Sequence, residues 1–339
     1  SQYFSPIILR DIIESPQVYG ATADYLHWRT YGIFFSFLCV MFRAYYVGIT
    51  QTKILTVNSI VMLLSNVALN YCLIFGKGGF PAAGIAGAAI ASSVSEAVSL
   101  LFFIIYTSMT ADKRKYGFRR AFTLRPHLLK GMLSISGWTM VQSFISVSIW
   151  FIFFLAIEHL GERPLAVTNI VRNISALLIM VISAFATTAG ALISNQIGAG
   201  EQRCLFKTCG MTLKLTYAIL IPLLIILCLF PESVLRAFTD SPSLIAASVN
   251  SVYVMASSTL IMAPSFILFN AVSGTGNTRA GFIMEMISLA VYTAVIYYGI
   301  IRLKPDVALC WFSEHVYGVT LIFLAWWYLK SGKWRGKKV

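Results

Sequence analysis

Residues 269–279 read Phe-Asn-Ala-Val-Ser-Gly-Thr-Gly-Asn-Thr-Arg, and a weaker copy, Phe-Arg-Ala-Tyr-Tyr-Val-Gly-Ile-Thr-Gln-Thr-Lys, occupies residues 42–53. Each copy follows one long apolar run and precedes another. Placing Gly48 on Gly274 also aligns a threonine followed by a basic residue at the end of each copy. The two stretches therefore predict the same local structure twice, a tight turn between two apolar segments.

The composition around these turns indicates an integral membrane protein. Hydrophobic residues make up 58% of the chain and charged residues 12%, whereas roughly a quarter of a soluble domain is charged. Runs of about 20 apolar residues are long enough to cross a bilayer, and inside lipid they are expected to be helices. We predict an all-α bundle with nine such helices, at residues 25–47, 54–75, 85–109, 128–157, 165–193, 211–230, 244–272, 282–301 and 307–329.

The glycine-rich residues 274–279 also invite comparison with a phosphate-binding loop. Such a loop follows a strand and ends in Lys-Ser or Lys-Thr, and this sequence has neither feature. We therefore interpret the conspicuous turn residues as parts of tight connections at the membrane surface; they are Gly48, Gly274, Gly276 and Asn277.

A second pair of positions supports an internal repeat. Ser95-Glu96 lies inside one apolar run and Ser313-Glu314 inside another, and their separation along the chain is close to that of the two turns. A period above about 200 residues is too long for a solenoid protein. We therefore predict two copies of a multi-helix unit, as in many helical membrane proteins.

The repeat divides the chain into three parts. Residues 1–109 are expected to be the last three helices of the first unit, residues 110–127 a basic cytoplasmic linker, and residues 128–339 a complete six-helix unit with a basic tail. If the second copy starts near Leu128, the separation of the two turns places the start of the first copy well before Ser1. Three further helices are therefore expected to precede Ser1.

The formal net charge of +13 is placed in a way that argues against a nucleic-acid partner. Basic residues cluster in the short connections, above all in residues 112–130 and in the tail at residues 330–338. By the positive-inside rule the linker, the tail and the turn at residues 274–279 are cytoplasmic. Anionic membrane lipids are the expected partners of these charges.

Polar side chains within the apolar runs are candidates to line a substrate or ion cavity, because such groups are costly in lipid and turn inward. They are Gln142, Asn169, Arg172, Asn173, Glu285 and Glu314 in the second unit, and Asn66, Asn70 and Glu96 in the first. Two interpretations of Glu285 and Glu314 stay open: they load and release protons, or they are hydrogen-bonded groups that hold helices together. Arg172 either faces the cavity or bridges to a neighbouring helix.

Enzymatic chemistry has no support in the sequence. The six cysteines follow no metal-binding spacing, and the four histidines are scattered. A Ser/His/Asp set and paired carboxylates at a membrane face are also missing from the sequence. We therefore expect neither an enzyme nor a cofactor or metal site.

Three further motifs are Asn-Tyr-Cys-Leu-Ile-Phe-Gly at residues 70–76, Gly-Phe-Pro-Ala-Ala-Gly-Ile-Ala-Gly-Ala-Ala-Ile-Ala at 79–91, and Asn-Gln-Ile-Gly-Ala-Gly at 195–200. With the two turns, and in this order, they resemble the multidrug and toxic compound extrusion (MATE) transporters of the MOP flippase superfamily. The resemblance implies two six-helix lobes around a V-shaped central cavity, with the first three helices absent from this chain.

The same resemblance implies a secondary active antiporter of the bacterial inner (plasma) membrane. It would export amphipathic or cationic small molecules in exchange for protons or sodium, by alternating access, as a monomer. A lipid-linked oligosaccharide flippase of the same superfamily is the alternative, and it would need a large cationic cavity. Many family members hold an acidic residue in the seventh helix and another in the tenth, whereas residues 128–157 and 244–272 contain none.

Overall fold

The computed structural model describes residues 16–110, residues 126–332 and Trp334. Within these ranges all regular structure is helical, and nine helices are long and apolar enough to cross a membrane. The predicted all-α membrane fold and its nine spans are thus confirmed for this part of the chain. The predicted linker and the basic tail fall largely on residues 111–125 and 335–339, which lie outside the described residues.

The helices are labelled here in chain order, and two of the spans end or begin in irregular helical turns. They are α1 (Pro16–Gly48), α2 (Lys53–Phe75), α3 (Gly84–Thr110), α4 (Pro126–Glu158), α5 (Glu162–Gly198), α6 (Leu205–Leu229), α7 (Pro231–Leu235), α8 (Pro242–Gly274), α9 (Thr278–Val295), α10 (Val307–Cys310) and α11 (Ser313–Ser331). A short 3₁₀ turn, Gln202–Cys204, precedes α6, and wide π-helical turns, Ile296–Arg302, extend α9.

The described helices form two compact units, α1 to α3 and α4 to α11. In the first unit α3 packs along both α1 and α2, which barely touch each other. Small residues allow the close approach: a Cβ atom at Gly87 would lie 2.5 Å from the Leu73 carbonyl oxygen, and Ala89 and Ala91 are fully buried. Residues 84–91 of the small-residue motif, which belong to α3, therefore form a helix-packing surface.

In the second unit the most extensive helix contact joins α5 and α8. The two backbones nearly touch where Gly190 meets Gly274, since a Cβ atom on Gly274 would lie 2.5 Å from the Gly190 carbonyl oxygen. Helix α11 packs against both α8 and α9, and α4 packs against α9. This arrangement brings polar side chains of α4, α9 and α11 towards one another.

The repeated turn has the same backbone shape in both units. Helix α8 ends at Gly274, Gly276 takes a left-handed φ of +78°, and the Asn277 side chain accepts a hydrogen bond from the Ala280 amide to start α9. Helix α1 ends at Gly48, and Thr50, the counterpart of Gly276, has a φ of +60°. The repeat found in the sequence thus relates two turns of like conformation.

Candidate functional site

Helices α9 and α11 exchange a pair of hydrogen bonds between tyrosine and glutamate. The Tyr292 hydroxyl of α9 donates to Glu314 Oε1 of α11 at 2.8 Å, and the Tyr317 hydroxyl of α11 donates to Glu285 Oε1 of α9 at 2.9 Å. The two tyrosine rings meet edge to face, 5.8 Å apart. We call these four residues the Glu–Tyr cluster.

Helical spacing explains how each helix supplies one glutamate and one tyrosine. Glu285 and Tyr292 are seven residues apart, which is close to two turns, and Glu314 and Tyr317 are three residues apart, which is close to one. Both pairs therefore project from a single helix face, and the two faces lie against each other.

Glu285 is the most enclosed acidic side chain of the cluster, with only 3% of its surface exposed. Its Oε1 atom also accepts a hydrogen bond from Ser146 of α4 at 2.8 Å. Among the residues that the structure describes, its Oε2 atom has no hydrogen-bond partner. A buried oxygen of this kind is costly unless it takes up a proton, a cation or water.

The Glu–Tyr cluster lines a cavity of about 240 Å³ within the second unit. Its wall is otherwise mostly apolar and comes from five helices: Ser146, Val147 and Trp150 of α4, Ile179 of α5, Met262 and Phe266 of α8, Glu285, Leu289 and Tyr292 of α9, and Glu314 and Tyr317 of α11. Sites for drug-sized ligands are larger, roughly 300–1,000 Å³. The size and the two carboxyl groups suit a proton, a small cation or water.

The other residues predicted for this cavity in the second unit are not part of its wall. Gln142 lies one turn before Ser146 and contributes its backbone carbonyl, which accepts the Ser146 hydroxyl at 2.9 Å. On α5, the Arg172 guanidinium lies 5.2 Å from the centre of the Phe154 ring of α4. Arg172 thus contacts the neighbouring helix α4, and both interpretations of its role stay predictions.

Two asparagines of α5 also lie apart from the cluster. Asn169 is half-buried and Asn173 is exposed, one helical turn further along. Neither side chain lines the cavity. The shared face of Asn169, Arg172 and Asn173 thus does not converge on Glu285 and Glu314 within this unit.

In the first unit the predicted polar residues join α2 to α3. The Asn66 amide donates to the hydroxyls of Ser95 at 3.2 Å and Ser92 at 3.4 Å, and the Asn70 amide donates to Asn66 Oδ1 at 2.9 Å. The predicted shared face of Asn66 and Asn70 is therefore present and turns towards α3.

Glu96 has a different environment from its sequence counterpart Glu314. Arg29 of α1 binds both carboxylate oxygens of Glu96, at 2.7 and 2.9 Å. A charge-assisted pair with this forked geometry is stronger than a hydrogen bond between neutral groups. The matching glutamates of the two units are therefore not equivalent, since one is paired with a cation and the other with a tyrosine.

Comparison with known proteins identifies the family of this chain. The sequence model of the MatE family matches residues 2–72 and 139–298, which is well over half of the chain. The chain belongs to the MatE family. The Glu–Tyr cluster lies at the end of the second matched segment and just beyond it, since Glu314 and Tyr317 follow residue 298.

Curated MatE relatives are similar over much of this chain. An uncharacterized transporter, YisQ, of Bacillus subtilis is 25% identical over 268 residues, which cover 76% of this chain and 56% of the relative. A probable multidrug resistance protein, NorM, of Thermotoga maritima is 25% identical over 291 residues, covering 81% and 59%. The chain thus spans less than two thirds of the length of these relatives.

Solved structures share the fold. An outward-facing multidrug resistance MATE transporter of the MOP superfamily superposes with a TM-score of 0.86 at 15% identity, covering 97% of this chain and 73% of that one. A MOP superfamily transporter from Pyrococcus furiosus, described as having a binding pocket of reverse polarity, gives a TM-score of 0.82 at 16% identity, covering 96% and 73%. These likenesses show that the chain has the fold of MATE transporters. The family and the apolar helices among the described residues make it a multi-pass membrane protein.

Three residues of the site were missing from the sequence-based candidates of this MatE chain. Ser146, Tyr292 and Tyr317 each donate a hydroxyl hydrogen bond to a glutamate of the cluster. The tyrosines could have been found from the spacing, because each follows a glutamate by a whole number of turns on its own helix. Ser146 carried no such signal, since it lies 139 residues from its partner Glu285.

Proposed function

We propose that this chain acts in a secondary active exporter of amphipathic or cationic small molecules that exchanges them for protons or sodium by alternating access. The observation that carries the proposal is the pair of glutamates facing one small cavity, each hydrogen-bonded to a tyrosine of the opposite helix. An ion or a proton that binds here in one conformation more tightly than in the other would shift the balance between them.

The family supports an efflux role, because several similar proteins are named as multidrug resistance proteins. The oligosaccharide-flippase alternative has less support. It would need a cationic cavity, whereas the described wall of this cavity carries Glu285 and Glu314 and includes neither lysine nor arginine.

We propose that the protein lies in the bacterial plasma membrane, with the end of α11 at the cytoplasmic face. Lys330 lies in the last turn of that helix, and further basic residues follow it in the sequence. Basic residues next to a membrane span favour the cytoplasmic side. We expect anionic lipids to contact this end, and we expect the protein to act as a monomer without a cofactor.

The test is efflux of ethidium, a fluorescent organic cation, from bacteria that lack their own pumps and express the full-length protein. A protonophore should abolish efflux if protons drive it, and replacement of external sodium by choline should abolish it if sodium does. Glu314→Gln and Glu285→Gln should each lose ion-dependent efflux at normal membrane expression, because an amide binds neither a proton nor a cation in the way a carboxylate does.

The matched control is Glu232→Gln, because Glu232 is an exposed carboxylate at the start of α7. This variant should transport like the wild type. Unchanged efflux with an unchanged dependence on pH and sodium in Glu314→Gln and Glu285→Gln would refute the coupling role of the Glu–Tyr cluster.

A further inference from the structure

Ser146 has one hydroxyl proton and two acceptors within reach. Its Oγ atom lies 2.8 Å from Glu285 Oε1 and 2.9 Å from the Gln142 carbonyl oxygen of its own helix. A serine hydroxyl donates one hydrogen bond at a time. The two acceptors therefore compete for it, and the charge on Glu285 decides the outcome because bonds to an ionised acceptor are roughly twice as strong.

We propose that Ser146 is a positioning residue that senses the protonation of Glu285. When Glu285 is ionised, the Ser146 hydroxyl donates to it and links α4 to α9. When Glu285 takes up a proton from water, the hydroxyl turns to the Gln142 carbonyl and that link weakens. The inference deepens the proposed function and rests on it, because it concerns the same coupling carboxylate.

Ser146 differs from the other polar residues around Glu285 because it lies on α4. The titratable groups that face the cavity are Glu314, Tyr292 and Tyr317 beside Glu285 itself. These groups all belong to α9 and α11, whereas α5 and α8 contribute only apolar side chains to the wall. Ser146 is thus the residue of this wall that connects the charge of the cluster to α4.

Infrared difference spectroscopy of the full-length protein in lipid nanodiscs tests the proposal without relying on transport. The protonated-carboxyl stretching band that disappears in Glu285→Gln is assigned to Glu285 and followed against pH. Loss of a hydrogen bond to the ionised form makes protonation easier, so Ser146→Ala should move the midpoint of this band upward by about one pH unit.

Two further variants separate a specific effect from a general one. Ser146→Thr keeps the hydroxyl and should keep the wild-type midpoint. Ser148→Ala is the matched control, because Ser148 also donates to the carbonyl four residues earlier on α4, that of Phe144, but is exposed and lies outside the cavity wall. Its midpoint should be that of the wild type.

The outcomes are distinct from those of the transport assay. An unchanged midpoint in Ser146→Ala, or an equal change in Ser148→Ala, would overturn the role of Ser146, as would a Glu285 band that never titrates. A shifted band in Ser146→Ala together with unchanged pH-dependent efflux in Glu285→Gln would leave the Ser146 assignment standing and reject Glu285 as the coupling group.

Discussion

Replacing Gly274 by alanine tests a close backbone contact between α5 and α8 in the second unit. The added Cβ atom would lie 2.5 Å from the Gly190 carbonyl oxygen, and a Cβ atom added at Gly190 would in turn lie 2.9 Å from the Asn270 carbonyl oxygen. Ordinary contact for a Cβ atom begins at 3.4 Å, so α5 and α8 must separate locally by about 3.4 − 2.5 = 0.9 Å. A backbone carbonyl, unlike the end of a side chain, cannot rotate out of the way.

Two opposing terms set the size of the effect. Overpacking of a close contact costs about 1–3 kcal/mol, and alanine within a helix is favoured over glycine by about 0.5–1 kcal/mol. Because the clash involves two backbones, the upper part of the first range applies. We expect Gly274→Ala to destabilise the protein by roughly 2 kcal/mol and to lower its Tm by several degrees.

The assay is thermal unfolding of purified protein in one detergent, compared with Gly210→Ala. Gly210 lies inside α6, and a Cβ atom there would meet nothing within 4 Å. The control should therefore gain a few tenths of a kcal/mol up to about 1 kcal/mol from helix propensity alone. A Tm of Gly274→Ala equal to or above that of Gly210→Ala would refute the steric argument.

Three further changes test the packing of the first unit by thermal unfolding. Thr50→Gly should raise Tm, because the left-handed φ of +60° costs a non-glycine residue about 1–2 kcal/mol; a lower Tm would contradict this. Arg29→Gln should lower stability by roughly 2–3 kcal/mol, because it leaves Glu96 without its cation. This loss is smaller than for a fully buried pair, since the two side chains are 28% and 14% exposed. The double variant with Glu96→Gln should recover most of the lost stability. Asn58→Leu should lower stability by about 1–3 kcal/mol, because the Ser99 hydroxyl loses both hydrogen bonds with Asn58 and keeps only the weak one from the Cys39 thiol. Adding Ser99→Ala should restore most of that stability. For either pair, equal Tm values of the single and the double variant would contradict the argument.

Much of the fold was predictable because its signals are local. The nine spans follow from apolar runs of sufficient length, and the paired turns follow from short motifs that recur in the same context. Asn66 and Asn70 could be placed on one face of α2, because residues four apart on a helix are neighbours. These inferences need no knowledge of which helices touch.

The candidate site was predictable only in part. The sequence selected Glu285 and Glu314 as buried polar groups, and the structure brings both to one cavity. Gln142, Arg172 and the asparagines of α5 met the same criterion, yet their side chains do not line it. A polar residue in a membrane helix must turn inward, but the sequence does not say towards which neighbour.

The partners of the polar side chains were decided by tertiary structure alone. The repeat makes Glu96 and Glu314 counterparts in sequence, but Glu96 binds Arg29, 67 residues away on α1, and Glu314 binds Tyr292 on α9. Composition and the lengths of the apolar runs determined that this protein is a bundle of membrane helices, because those properties depend on neighbours along the chain. Which glutamate is neutralised by a cation and which shares a cavity with a second carboxyl depends on contacts between helices far apart in sequence, and only packing sets those.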